Sequence, residues 1–113
     1  MLFRSGDAQD QNLLQFFLNV VEFGMTVQEA CEAPNFTSYQ MRSSFEKHDA
    51  KIGKLLINES VPDYVRRDLR RMGYRLEMRK RTSGPITAIL VDPEHGTFWG
   101  GMANEGETHG AAW

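Results

Sequence analysis

Residues 5–36 read SGDAQDQNLLQFFLNVVEFGMTVQEACEAPNF, and they carry the most regular pattern of the chain. From about Asp7 to Phe23 the polar residues recur every three or four positions, which places them on one narrow stripe of a helix. These polar residues are Asn12, Gln15, Asn19 and Glu22. Nearly every other position from Leu13 onward is large and apolar, so most of the helix circumference needs cover. We therefore predict a long helix over residues 7–23, ended by Gly24, that needs apolar cover on most of its circumference.

The turn Ser5-Gly6 stands directly before this helix. The first N–H groups of a helix have no partners inside it, and the helix dipole is positive there. A glycine turn at such a point is suited to holding an anion or a developing negative charge. The plainer interpretation is a helix entry with Asp7 as its cap. The residues alone leave both interpretations open.

The rest of the chain predicts short helices and strands in alternation. Thr26 and Glu29 form a T-x-x-E capping box for a helix over 26–33, which Pro34 ends. Further elements are expected as strands at 36–41 and 54–58, a helix at 62–72 closed by Gly73, a strand at 74–80, and a hairpin at 86–102. The apolar run 86–92 is typical of a buried strand. We predict an α+β fold with the hairpin joined to strand 74–80 in one antiparallel sheet.

Length and composition bound the class of protein. The chain has 113 residues, 41% of them apolar and 25% charged, with a net charge of −2, which predicts a single globular unit over residues 1–113. No apolar run reaches the roughly 20 residues of a membrane span, and MLFRSGD lacks the apolar core of a signal peptide, so a cytoplasmic location is the default expectation. Cys31, the single cysteine, is expected to be a packed, inert thiol. The histidines His48, His95 and His109 share no metal-ligand spacing, and we predict neither metal nor cofactor.

Several motifs of the chain resemble the gamma-glutamyltransferase (gamma-glutamyltranspeptidase) family. They are the glycine turn, Leu14-Gln15, Leu18-Asn19, Phe23-Gly24-Met25, Gln28-Glu29-Ala30, Ala33-Pro34-Asn35-Phe36, Arg71-x-Gly73-Tyr74, Asp92-Pro93 with Gly96, and Gly110-Ala111-Ala112. The resemblance spans essentially the whole chain and is most specific over its first part. It implies the C-terminal segment of a small subunit. It also implies an N-terminal-nucleophile hydrolase fold, an αββα sandwich of helices around two stacked sheets.

The resemblance also implies a chemistry. In the family the precursor cuts itself, and the freed threonine attacks a gamma-glutamyl amide and passes the acyl group to water or an amine. The turn that matches Ser5 and Gly6 supplies backbone N–H groups to the oxyanion. This chain begins Met1-Leu2-Phe3 and has no threonine before Thr26, which serves as a helix cap. We therefore expect no catalytic residue here, and no activity of this chain alone.

Two positions depart from the family pattern. Arg4-Ser5-Gly6 stands where the family usually has Pro-Gly-Gly, and Asn104-Glu105-Gly106 stands where it usually has Asp-Pro-Arg. A subgroup resembling acylases fits as well. The expected partner is the remainder of the fold or a second copy of the chain, because the long helix needs apolar cover on several sides.

A second hypothesis is a small nucleic-acid-binding module. Its basis is a cluster of eight basic residues: Arg66, Arg67, Arg70, Arg71, Arg75, Arg79, Lys80 and Arg81. Arginine pairs on a helix followed by a strand can grip phosphates. The net acidic chain, the absence of a known binding motif and the position on the solvated side of a helix all disfavour this hypothesis.

Overall fold

The computed structural model describes residues 6–40, 51–82 and 84–103, and it has mixed helix and strand content. Its elements are α1 (Gly6–Val21), α2 (Val27–Glu32), β1 (Phe36–Ser38), β2 (Lys54–Asn58), α3 (Asp63–Arg71), β3 (Arg75–Arg79), β4 (Thr87–Asp92) and β5 (Thr97–Met102). The strand expected at 36–41 ends at Ser38, and Met41 lies outside the described residues. Gly24 and Gly73 have φ values of 66° and 95°, which confirms both as helix stops.

Contacts within the chain form two compact units, divided between Asn12 and Leu13, between Ala33 and Pro34, and between Gly84 and Pro85. The first unit contains the start of α1, the strands β1, β2 and β3, and helix α3. The second contains the rest of α1, helix α2 and the strands β4 and β5. Helix α1 therefore contributes residues to both units.

The first unit is built on a three-stranded sheet in the order β1-β2-β3. Strand β1 runs antiparallel to β2, with Thr37 opposite Leu56, and β2 runs parallel to β3, with Leu55 opposite Leu76. Helix α3 connects β2 to β3 and packs against β3. Leu55, Leu56 and Ile57 are buried, and Ile57 is only 2% exposed. The central strand β2 is therefore the core of this unit.

The predicted pairing of the hairpin with strand 74–80 is wrong. Strand β3 pairs with β2, and β4 pairs with β5 in a separate two-stranded sheet. The physical reason lies in the connection, because a strand–helix–strand order returns the chain parallel to the strand it left. Helix α3 thus delivers β3 to the edge of β2.

The second unit is a hairpin with one helix packed on it. Strands β4 and β5 are antiparallel, with Leu90 opposite Trp99, and Gly96 takes a φ of 63° in the turn between them. Helix α2 packs against both strands and buries Val27, Ala30 and Cys31. The capping box is confirmed, since the Thr26 N–H donates to Glu29 Oε2 at 2.8 Å and the Glu29 N–H donates to Thr26 Oγ1 at 3.3 Å. The hydrogen bond from the Thr26 backbone holds the pKa of the Glu29 carboxyl below its usual range.

The prediction that residues 86–92 form a buried strand is correct for the strand and wrong for the burial. Ile89 is 71% exposed, and Leu90, Val91, Phe98 and Trp99 are exposed as well. Among the described elements, α2 is the one that packs on this hairpin. One short helix covers only part of a two-stranded sheet, so apolar side chains on the strands remain uncovered.

Helix α2 and strand β5 approach each other closely at Gly101. A Cβ atom at this position would lie 2.7 Å from Val27 Cγ1 and 2.8 Å from the Val27 carbonyl carbon. Contacts below 3.0 Å with backbone force α2 away from the sheet. At the neighbouring Gly100, an added Cβ meets nothing within 4 Å.

We expect Gly101→Ala to lower the free energy of unfolding by about 1–3 kcal/mol, because overpacking displaces α2. The matched control Gly100→Ala adds the same methyl group to open space and should change stability by less than about 0.5 kcal/mol. Urea denaturation of both variants measures the difference. Equal effects of the two substitutions would show that the packing of α2 on β5 does not require a glycine at position 101.

Candidate functional site

The start of α1 is the candidate site. Gly6 is the first residue of the helix, in agreement with the helix entry expected there. Ser5 lies outside the described residues. The oxyanion role of the Ser5 and Gly6 N–H groups stays a prediction, so the structural question is what holds the helix start in place.

Gln11 fixes the first turns of α1 to the edge of strand β1. Its Nε2 donates to the Ser38 carbonyl at 3.0 Å, and its Oε1 accepts from the Ser38 N–H at 2.8 Å. The Tyr39 N–H donates to the Lys54 carbonyl, so by alternation the Ser38 peptide groups point away from β2. A glutamine amide carries one acceptor and two donors, and here it completes the outer edge of β1 as a neighbouring strand would.

Asn12 forms the buried part of the same attachment. It is 8% exposed, its Nδ2 donates to the Gly84 carbonyl at 3.0 Å, and its Oδ1 accepts from Asn35 Nδ2 at 3.2 Å. Thr82 Oγ1 in turn donates to Asn35 Oδ1, and Thr37 Oγ1 donates to the Thr82 carbonyl at 2.8 Å. Because Asn12, Thr37 and Thr82 are all buried, each bond satisfies a group that water does not reach.

We call these hydrogen bonds the amide network, defined by Gln11, Asn12, Asn35, Thr37 and Thr82; the backbone of β1 joins the bonds of Gln11 to the others. All five residues belong to the first unit. The network joins three segments of chain: the start of α1, strand β1 and the residues that follow β3. Sequence reasoning placed Asn12 on the polar stripe of α1 and Asn35 in a family motif, but it did not connect them. The start of α1 is thus held by buried polar contacts.

The cysteine and the histidine that the structure describes both lie in environments with a structural explanation. Cys31 is buried, and burial raises the pKa of its thiol, with the neighbouring Glu32 carboxylate adding to the shift, which agrees with an inert thiol. His95 Nδ1 lies 2.7 Å from Asp92 Oδ2 in the exposed hairpin turn. His48 and His109 lie outside the described residues.

The described residues include neither a metal-binding cluster nor a membrane-spanning helix. Over residues 6–40, 51–82 and 84–103, no group of three or more His, Cys, Asp or Glu side chains is placed to hold a metal ion. Within those ranges, none of the helices combines the length and apolar character needed to cross a bilayer.

Four residues of the basic cluster, Arg66, Arg71, Arg75 and Arg79, bind separate partners. Arg66 pairs with Asp63 and also donates to Met78 Sδ at 2.8 Å. Arg71 lies 3.7 Å from Asp68, and Arg79 lies 2.7 Å from Glu77. Arg75 donates to the Ile52 carbonyl at 3.0 Å. Four of the eight cationic side chains in this cluster therefore have partners of their own within the described part of the chain.

We expect Asn12→Ala to lower the free energy of unfolding by about 1–3 kcal/mol, because it removes the two hydrogen bonds that the buried Asn12 side chain makes to Asn35 and to the Gly84 carbonyl. Gln9→Ala is the matched control, since Gln9 is an exposed amide on the same helix. Its replacement should change stability by less than about 0.5 kcal/mol. Chemical denaturation followed by circular dichroism separates the two, and a near-neutral Asn12→Ala would contradict a stabilising role for the network.

Comparison with known proteins identifies the family. Residues 5–113 match the family model described as gamma-glutamyltranspeptidase. No curated protein sequence matches the chain at a significant level. The matched residues include the candidate helix start and every described residue of both compact units. They also include nearly every motif on which the resemblance in the sequence rests.

Solved structures agree with this match. The chain is 26% identical to an acivicin-inhibited gamma-glutamyltranspeptidase, with a TM-score of 0.70, covering 91% of this chain and 51% of that one. A point mutant of the Helicobacter pylori gamma-glutamyltranspeptidase shares the fold at 22% identity and a TM-score of 0.65, covering 88% and 50%. LmbA2991HD is 28% identical with a TM-score of 0.78, covering 88% and 18%. The chain spans about half the length of the transpeptidase chains that it matches, and it belongs to the gamma-glutamyltranspeptidase family.

Proposed function

We propose that the chain is the C-terminal portion of the small subunit of a gamma-glutamyltransferase-like enzyme, an amide hydrolase or acyl transferase. In this proposal it lies within an αββα sandwich and contributes the oxyanion turn and core packing. The observation that carries the proposal is the family match over residues 5–113, on a chain that spans half of the matched transpeptidase chains. The proposed substrate is a gamma-glutamyl amide, bound only in the assembled enzyme. The comparisons give no support to the nucleic-acid alternative.

The nucleophile is assigned to a companion segment. An N-terminal nucleophile is a threonine whose own α-amine serves as the base, so it must begin a chain. The described threonines are internal, and three of them use their hydroxyls structurally. Thr26 caps α2, Thr37 donates to the Thr82 carbonyl, and Thr82 donates to Asn35. These contacts support a structural role for the threonines of this chain.

The turn at Ser5 and Gly6 is assigned to the oxyanion. Attack on an amide carbonyl places negative charge on its oxygen, and fixed backbone N–H groups stabilise that charge most when they need no reorganisation. The amide network supplies such rigidity, because Gln11 and Asn12 bind strand β1 and the segment after β3 within two turns of Gly6. The positive end of the α1 dipole acts in the same direction.

The uncovered apolar surface supports the companion segment. Six large apolar side chains on and after α1 are 40% or more exposed: Leu13, Leu14, Phe17, Leu18, Val21 and Phe23. The hairpin adds Ile89, Leu90, Val91, Phe98 and Trp99. Burying one such side chain stabilises a protein by roughly 1.5–3 kcal/mol, so leaving many exposed forgoes a large free energy. In the proposed sandwich, the remaining helices and sheets cover these side chains.

We expect the purified chain to hydrolyse a chromogenic gamma-glutamyl anilide no faster than buffer does, and activity to arise when it is combined with a segment that begins with the nucleophilic threonine. In that assembled enzyme, Gly6→Pro should reduce the rate about a hundredfold, since it removes one N–H donor. Gly6→Ala is the control, because it retains the N–H group.

Folding must be measured beside the rate, since proline also restricts the turn. Circular dichroism and co-purification of the two segments report assembly independently of catalysis. Turnover by the chain alone that survives repurification and vanishes on mutation of a residue in it would overturn the assignment of the nucleophile. A Gly6→Pro enzyme that assembles and retains full activity would overturn the oxyanion assignment.

We also expect the isolated chain to self-associate at micromolar concentration and to bind a dye that reports exposed apolar surface. The double variant Ile89→Ser, Phe98→Ser should lower the dye signal, because both side chains are exposed on the hairpin. The control Tyr64→Ser changes an exposed aromatic residue on α3 and should leave most of the signal. Sedimentation measures the association, and a dye-silent monomer with a cooperative thermal transition would contradict the need for a companion.

A further inference from the structure

A groove lies beside the amino-terminal ends of β2 and β3 in the first unit. It has a volume of about 570 Å³ and opens to solvent. Its lining residues are Lys51, Ile52, Lys54, Arg75, Leu76 and Glu77. Three of them are cationic and one is anionic, so the lining carries a net charge of about +2 at neutral pH. We call it the cationic groove.

The fold brings these charges together from two separate stretches of chain. Parallel pairing sets Lys54 opposite Arg75 at the start of both strands. The turn before β2 is tied to β3, because the Arg75 N–H donates to the Gly53 carbonyl at 2.7 Å. Gly53 has a φ of 74°, which favours glycine and directs the turn toward β3. Lys51, at the start of this turn, is thereby placed at the same edge of the sheet.

The three cations differ in what already binds them. Lys54 Nζ lies 2.7 Å from Glu77 Oε2 and 5.3 Å from the centre of the Tyr39 ring. The hydrogen bond from Lys54 holds the pKa of the Glu77 carboxyl below its usual range, and Arg79 acts in the same direction. Lys54 and Arg79 therefore share the single negative charge of Glu77.

Arg75 and Lys51 retain unused donors. The Arg75 guanidinium is fixed by one hydrogen bond from Nη2 to the Ile52 carbonyl at 3.0 Å. A guanidinium has five N–H donors, so most of them stay available. Over residues 51–82, where the groove lies, neither Arg75 nor Lys51 forms an ion pair with an acidic side chain. A guanidinium and an ammonium that line the same groove, with no ion pair to an acidic side chain of residues 51–82, are a favourable arrangement for a multiply charged oxyanion.

We propose that the cationic groove binds a phosphate monoester, with the phosphate on Arg75 and Lys51 and the organic group against Ile52 and Leu76. A phosphate dianion matches the net charge of the lining, whereas a monocarboxylate neutralises half of it. Ile52 is 77% exposed at the rim, which offers apolar surface beside the charges. The volume exceeds that of a phosphate group alone and leaves room for the organic part. This site is independent of the function proposed above.

The test is isothermal titration calorimetry of the full chain with phenyl phosphate, inorganic phosphate and benzoate at matched ionic strength. We expect saturable binding of one phenyl phosphate per chain, weaker binding of inorganic phosphate and at least tenfold weaker binding of benzoate. Tighter binding of inorganic phosphate would show that the groove takes the free ion, and benzoate binding as tight as phenyl phosphate would show that it takes a carboxylate. Either result overturns the proposal.

Variants locate the site. Lys51→Gln and Arg75→Gln should each raise the dissociation constant for phenyl phosphate about tenfold, by loss of one charge-assisted contact. Arg67→Gln, an exposed cation on α3, is the charge-matched control and should leave the constant unchanged.

Glu77→Gln should do the opposite, because it removes a competing carboxylate and frees Lys54 for the phosphate. A lower dissociation constant for Glu77→Gln cannot result from misfolding, because a misfolded variant binds phenyl phosphate more weakly. An unchanged constant in Lys51→Gln and Arg75→Gln, or weaker binding by a folded Glu77→Gln, would falsify the proposed site.

Discussion

The bonds of Asn12 to Asn35 and to the Gly84 carbonyl are the constraint on which the first unit and the candidate site depend. A buried amide that loses its partner forgoes more free energy than a formed hydrogen bond contributes, so the network is satisfied in one arrangement of its segments. That arrangement fixes the entry of α1 beside strand β1. These polar contacts therefore position the start of α1, where Gly6 lies.

The second unit is stabilised by the close packing of α2 on β5 and by hydrogen bonds between them. Gln28 bonds both backbone groups of Met102, donating at 3.0 Å and accepting at 3.1 Å, and the bare Cα of Gly101 lets α2 rest on β5. Helix α2 thereby covers part of the hairpin, and the remaining apolar side chains of the two strands are exposed. Such a surface is suited to receiving another layer of a larger fold.

Sequence predicted what is decided locally. The bounds of β2, the stops at Gly24 and Gly73 and the capping box of Thr26 and Glu29 each depend on residues a few positions apart, and the structure has them as expected. The predicted pairing of β3 with the hairpin was wrong because strand partners depend on contacts between residues far apart in the sequence. The predicted burial of β4 was wrong because an apolar run indicates that a strand needs to be covered. Whether it is covered depends on which other elements pack on it. The amide network had no local pattern, since Asn12 meets partners 23 and 72 residues away.

Basic residues that are close in sequence also differ from basic residues that the fold brings together. The basic residues are most crowded along residues 66–81, where Arg66, Arg71 and Arg79 lie beside Asp63, Asp68 and Glu77. Parallel pairing carries Arg75 to the turn that holds Lys51, and neither of them forms an ion pair with an acidic side chain of residues 51–82. A run of arginines on an amphipathic helix therefore indicates a solvated face, and a site for an anion depends on cations that the fold assembles from separate segments without matching acids.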